Sequence, residues 1–190
     1  SDVCSSDLFI ESRDMFFLST VDHQGRPTVS YKGGEPGFIR VLDKMTVAFP
    51  CYDGNGMFYS MGNLLENAQI GMLFIDFEKP HRLRLQGNAV VDDNDPLLHS
   101  YKEAQLIVRV TVTEVFRNCP RYVHHYQRTR RSEFVPQTAC ETPIAPWKRV
   151  DDIQAALPER DRARVEREGG AISRTERPLP KRRASSSRLA

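Results

Sequence analysis

Met57-Phe-Tyr-Ser-Met-Gly-Asn-Leu-Leu-Glu-Asn67 is the stretch on which the fold turns. It reads as one short helix, with Gly62 weakening its middle, set among segments that read as strands. Ahead of it, Met15–Val21 is rich in aromatic and branched residues. Its return strand, Pro27–Lys32, follows the turn Asp22-His-Gln-Gly25, where Gly25 is free to take positive φ. Gly33–Gly37 form a second turn, then Phe38–Leu42 and Met45–Phe49 read as strands, and Pro50–Gly56 as a loop. No helix of the right spacing follows the glycine-rich turn, so it is a hairpin turn rather than a phosphate cradle. Behind the helix, Gln69–Phe77 and His81–Val91 pair across Glu78–Pro80. Asp95 caps a second helix that Pro96 opens and that runs to about Ala104. Leu106–Phe116 is the longest strand. Its two-residue period sends Val108, Val110 and Val112 to the core and Ile107, Arg109, Thr111 and Thr113 to a mixed surface suited to a subunit contact. Six or seven short strands joined mostly by hairpins define an antiparallel barrel, mainly β with short helices.

The chain has 190 residues and a net charge of +2, with 39% hydrophobic residues. The apolar deficit lies at the end. From Asp151 onward Arg, Glu, Pro and Ser dominate, and the expectation is a disordered basic tail over 151–190. Lys181-Arg-Arg183 reads as a solvated charge run rather than a nucleic-acid site. Ser1–Leu8 shows no periodicity and is expected to be a non-native leader, with natural sequence starting near Phe9. The barrel is assigned to 9–118, and 119–150 to an extension packing on it. Four scattered cysteines with no Cys-x-x-Cys pair give neither a disulfide framework nor a zinc site and suit a reducing cytoplasm. Cys119 is the one nucleophile by setting, with a structural thiol as the plainer reading. His124 and His125 are adjacent and point apart, so no metal site is expected. No apolar run approaches the ~20 residues of a membrane span, and the first residues lack the charged head and apolar centre of a signal peptide.

Strand alternation groups polar side chains. Thr28, Ser30 and Lys32 share one face, Phe38, Arg40 and Leu42 another, and Arg82 and Arg84 lie opposite Leu83 and Leu85. Ser60, Gly62 and Asn63 in the helix supply a hydroxyl, a close backbone approach and an amide.

A barrel interrupted once by a short helix bearing Ser and Asn resembles the FMN-binding split barrel of the pyridoxamine 5'-phosphate oxidase-like superfamily, over roughly Phe9 to Val123. The resemblance implies a six- to seven-stranded antiparallel Greek-key split β-barrel, a homodimer and FMN at the subunit interface. It places flavin contacts on the second strand at Val29, Ser30 and Lys32, and at Phe49 and Pro50 before the helix. Arg82, five positions before Gly87, takes the place of a flavin-contacting residue. The basic segment that grips phosphate maps near Tyr59 to Asn63, where Ser60 stands in place of the lysine of many relatives. Arg40, Arg82 and Arg84 are the cations that would replace it. The implied function is flavin-dependent oxidoreduction of a small molecule. The alternatives are a non-enzymatic flavin- or haem-binding module and a deazaflavin-dependent reductase. The family's Arg-x-His substrate signature is missing after Phe116, so pyridoxamine phosphate oxidase activity itself is not expected, and no catalytic acid or base is assigned. Asn118–Tyr122 and Cys140–Arg149 resemble segments of a bacterial subgroup of such barrels, in which Arg121 and Trp147 are candidates to cap a flavin ring or substrate. Trp147 has a plainer role in packing the extension.

Overall fold

The computed structural model describes residues 2–176. Helix α1 spans Asp2–Glu11, followed by β1 (Met15–Val21), β2 (Pro27–Gly33), β3 (Arg40–Asp43) and β4 (Thr46–Tyr52). Helix α2 (Tyr59–Glu66) precedes β5 (Gln69–Asp76) and β6 (His81–Asp92), a short 3-10 helix covers Pro96–Ser100, and β7 spans Ala104–Asn118. The seven strands form an antiparallel sheet in the order β2-β1-β5-β6-β7-β4-β3. Hairpins build β1–β2, β3–β4, β5–β6 and β6–β7, and β7 returns to pair with β4. The fold is therefore a mainly β antiparallel split barrel, as the hairpin spacing predicts.

Alternation decides which side chains enter the core. In β1, Phe16, Leu18 and Thr20 are buried while Phe17 and Ser19 stand on the other face. Phe16 is the centre of an aromatic cluster, with ring centroids 5.0 Å from Phe49, 5.4 Å from Phe74 and 5.9 Å from Phe38. Val108, Val110 and Val112 are buried as expected. Ile107 is not part of a mixed surface, because it is buried too. Arg109 is tied within the chain, its guanidinium held by the Asp95 carboxylate. Asp95 also accepts from the Leu97 amide at 2.8 Å, capping the 3-10 helix that replaces the longer helix read from sequence.

Glycine is required at Gly87. A β-carbon there would lie 2.4 Å from the Thr111 carbonyl oxygen and 2.7 Å from Val110 Cγ1. The register between β6 and β7 shifts at this point, between Gln86 and Gly87.

Three boundaries differ from the sequence reading. Of the residues expected to form a leader, those at 2–8 lie in α1, whose Ile10 is buried and whose Glu11 carboxylate accepts from the Val41 amide at 3.0 Å. The chain divides into compact units at 141/142, so 119–141 belongs with the barrel. The tail expected to be disordered is structured over its first part. In the second unit, short 3-10 helices cover Pro146–Arg149, Asp151–Ala156 and Arg174–Glu176, and α3 spans Glu159–Arg167. Ile144, Leu157 and Val165 form a small core with Trp147 and Ile153 against it. Buried Lys148 and Asp161 pair at 2.9 Å. Average composition hid these few apolar residues, whose spacing lets them meet. Residues 177–190, where the rest of that tail reading falls, lie outside the described residues.

Candidate functional site

A cleft of about 290 Å³ lies between β2, the end of β4, the 54–56 loop and the start of α2. The period of β2 turns Thr28, Ser30 and Lys32 towards it, while Val29 and Tyr31 are exposed on the other side. Lys32 is the one charged side chain among the described residues lining it. Gly56 (φ 75°) and Phe58 (φ 48°) take left-handed backbone, turning the chain sharply into α2. No side chain caps α2, and its first turn carries no acid. The amides at the start of a helix have no intrahelical carbonyl to bond, so they and the helix dipole favour an anion there. At this point Ser60 Oγ meets Ser30 Oγ at 3.1 Å. Tyr52, Phe58 and Tyr59 add aromatic surface.

The cleft has a fixed floor. Asn63 donates to Thr20 Oγ1 at 2.9 Å and to Thr28 Oγ1 at 3.3 Å, and the two threonine hydroxyls meet at 2.8 Å. This buried set ties α2 to β1 and β2. Burial, then Tyr101 and Glu35, push the Tyr52 phenol up to about 12, with Arg40 pulling the other way. Tyr52 therefore keeps its proton near neutrality and is a hydrogen-bond donor. Burial also raises the Cys51 thiol, which disfavours the reactive thiolate.

The structure brings Ser30, Lys32 and Ser60 together around the cleft; Val29 is also a lining residue, but its side chain is on the exposed face of β2. Asn63 lies beneath it, spending its amide on the threonines. Gly62 is exposed on α2 with open space beside it. Phe49 is wholly in the core and Pro50 is buried behind the lining. The arginines are elsewhere. Arg40 donates to Ser100 Oγ at 2.8 Å and lies 4.3 Å from the Tyr101 ring centroid. Arg82 and Arg84 pair with Ile75 and Leu73, and Leu73 pairs with Phe17, so both arginines share the Phe17 face of the sheet. Lys32 pairs with Phe16 and shares the opposite face. Buried Arg82 Nε and the oxygen of its cross-strand neighbour Asn118 have no hydrogen-bond partner among the described residues. Sequence reasoning missed Tyr52 and Phe58, and named Tyr59 only as the start of the phosphate-gripping segment. The signal for them was Gly54-Asn-Gly56, a turn pattern that forces a sharp entry into α2.

The chain belongs to the pyridoxamine 5'-phosphate oxidase family, whose sequence pattern matches residues 6–119. A histidine-to-alanine variant of HupZ from Group A Streptococcus has the same fold at 17% identity and a TM-score of 0.50, over 61% of this chain and 99% of HupZ. An FMN-binding protein from Syntrophomonas wolfei aligns at 11% identity and a TM-score of 0.47, covering 61% of this chain and 86% of its own. HutZ, described as the haem storage protein of Vibrio cholerae, aligns at 18% identity and 0.45, covering 60% and 92%. No curated protein matches the sequence. Among the described residues no helix is long and apolar enough to cross a membrane, and no group of three or more His, Cys, Asp or Glu is placed to hold a metal ion.

Proposed function

We propose that this protein binds FMN in the β2–α2 cleft, acts as an oxidoreductase on a small molecule, and works as a homodimer whose two copies build each site together. The observation that carries the reading is the juxtaposition of Lys32, the Ser30–Ser60 hydroxyl pair and the acid-free start of α2 with the aromatic surface of Tyr52, Phe58 and Tyr59. FMN needs those groups: donors and a cation for its phosphate, hydroxyl partners for ribityl, and an apolar wall for its ring. The residues fit it. Bound FMN would supply the redox chemistry. Ser60, Ser30 and Lys32 hold the phosphate end, Tyr52 donates a hydrogen bond from the wall, and Asn63 keeps α2 in register with β2.

Two features support a shared site. A cleft of about 290 Å³ lies at the lower limit for small-molecule pockets, which run from roughly 300 to 1,000 Å³. Arg82 and Arg84, the residues that the resemblance assigns to the flavin, face away from the cleft of their own chain. Arg82 therefore serves the partner's flavin. Apolar side chains of the same outer face, Phe17, Leu73 and Ile75, are only partly buried within one chain, and Tyr31 is exposed. An unpartnered apolar sheet face of this kind marks an interface.

Cofactor release and identification is the first test. FMN is expected, and FAD, haem or no chromophore would refute the reading. The second test mixes Lys32→Ala with Arg82→Ala protein. Each variant alone should bind FMN about tenfold to a hundredfold more weakly, and subunit exchange should restore one full-affinity site per mixed dimer. Failure to recover any site would refute sharing between chains.

A further inference from the structure

A second cavity, of about 330 Å³, shares no lining residue with the β2–α2 cleft. The two lie at opposite ends of β4. Cys51 and Tyr52 at its end line the cleft, whereas Thr46 and Val47 at its start line the cavity. A strand of that length spans roughly 20 Å. Residues of α1, β3, β6 and β7 complete the lining. The floor is apolar, because Ile10, Val47, Leu85 and Val112 are buried core residues. Two bulges shape the walls. Leu42 has no partner between the pairs Val41–Val47 and Asp43–Thr46. Thr113 has none between the pairs Val112–Gly87 and Glu114–Gln86. A bulge leaves one residue unpaired and re-aims the side chains beside it, and Asp43, Thr113 and Glu114 all line the cavity. The Val112 amide donates to the Met45 carbonyl at 2.7 Å, tying the β3–β4 turn to β7.

The charge of this cavity opposes that of the chain. The whole sequence is +2, yet the lining sets three carboxylates, Asp7, Asp43 and Glu114, against Lys44 alone. Asp43 is fixed, its Oδ1 accepting from the Met45 amide at 2.8 Å. That amide, then the Thr46 hydroxyl, hold its carboxyl below the usual range. Asp7 and Glu114 are not spent on an ion pair with any described residue. We propose that the cavity binds a small organic amine, with the ammonium among the carboxylates and the apolar body on the floor of Ile10, Val47, Leu85 and Val112. The volume lies in the range of small-molecule pockets. An ammonium donates charge-assisted hydrogen bonds to carboxylates, and burying its body adds the hydrophobic contribution. An organic anion would be repelled at the mouth, and a neutral apolar molecule would leave the carboxylates unused. The inference does not depend on what the β2–α2 cleft holds.

The test is calorimetric titration of phenethylammonium into the full chain at neutral pH, beside 2-phenylethanol, 3-phenylpropionate and methylammonium. Phenethylammonium should bind at least about fivefold more tightly than the alcohol, the upper end for a partly exposed charge pair, and 3-phenylpropionate more weakly than either. Methylammonium carries the charge without the body and should bind at least about tenfold more weakly than phenethylammonium. Glu114→Gln, an exposed change that spares the core, should lower the preference for the amine over the alcohol. Val115→Trp, at the exposed rim, should weaken amine and alcohol alike. Circular dichroism checks that both variants are folded, and FMN retention should be the same in both. Equal affinity for amine, alcohol and carboxylate would overturn the inference. So would methylammonium binding as tight as phenethylammonium, which would leave only a surface charge cluster. An amine preference untouched by both Glu114→Gln and Val115→Trp, or displacement of the amine by FMN, would place the amine elsewhere. Amine affinity that falls as the protein is concentrated would show a second copy covering the cavity and would likewise overturn it.

Discussion

Replacing Gly87 with alanine should destabilise the barrel more than any other conservative change at a glycine in its strands. The added β-carbon would sit 2.4 Å from the Thr111 carbonyl oxygen. Carbon and carbonyl oxygen ordinarily approach no closer than about 3.3 Å, so the strands must separate by roughly 1 Å. The obstacle is backbone, so no rotamer change relieves it. β6 and β7 lie inside the sheet, with β5 and β4 beyond them, and separating them also bends their ladder hydrogen bonds. Overpacking costs about 1–3 kcal/mol, and weakened ladder bonds add about 1 kcal/mol, giving roughly 2–4 kcal/mol. At a few degrees per kcal/mol for a domain of this size, Tm should fall by about 6–15 °C. The assay must report the barrel. Trp147, the one tryptophan, lies in the second unit, so far-ultraviolet circular dichroism of the β signal or calorimetry is the readout rather than tryptophan fluorescence. Gly62→Ala is the counterpart. Its φ is not positive, its added carbon meets nothing within 4 Å, and it sits inside α2. A gain of about 0.5–1 kcal/mol is expected there. A Gly87→Ala Tm within 2 °C of the parent would refute the steric argument, the threshold being about half of a 1 kcal/mol effect.

Asn63→Ala should cost about 1–3 kcal/mol by removing the amide's hydrogen bonds to Thr20 and Thr28 and leaving a gap beneath the cleft, and it should loosen FMN through α2; unchanged Tm and unchanged FMN retention would contradict its role as the floor of the cleft. Arg109 and the Leu97 amide hold the Asp95 carboxyl below the usual range. A depressed folded value stabilises above the unfolded value of about 3.9 and is lost as pH falls through the folded one. Thermal scans between pH 3 and 6 should therefore show a steeper acid loss in the parent than in Asp95→Asn, and equal slopes would refute the link. Cys51 is buried with a raised thiol, whereas Cys119 and Cys140 are exposed. Brief alkylation of native protein read by mass spectrometry should label Cys119 and Cys140 and spare Cys51 until unfolding; rapid native labelling of Cys51 would show that the β4 end opens.

The parts of this molecule written locally could be read from the chain, and those that depend on pairing could not. Alternation in β1, β2 and β7, the Gly25 turn and the Asp95-Pro96 cap each follow from neighbours within a few residues. The candidate site needed more. Period two states that Thr28, Ser30 and Lys32 share a face and that Arg82 and Arg84 share a face; it does not state whether the two sets face the same way. That sign is fixed by the register across the three pairings that link β2 to β6 through β1 and β5. Lys32 lies opposite Phe16, the next residue Phe17 lies opposite Leu73, and Ile75 on the Leu73 face lies opposite Arg82. A slip of one residue at any one of the three pairings would have put Arg82 on the Lys32 face. The observed register puts it on the other side, and this same parity gives the arginines a use. In the proposed dimer, a residue that faces away from the cleft of its own chain, on a sheet face with partly buried apolar side chains, would act across the interface, which is why exchange between Lys32→Ala and Arg82→Ala subunits tests that proposal.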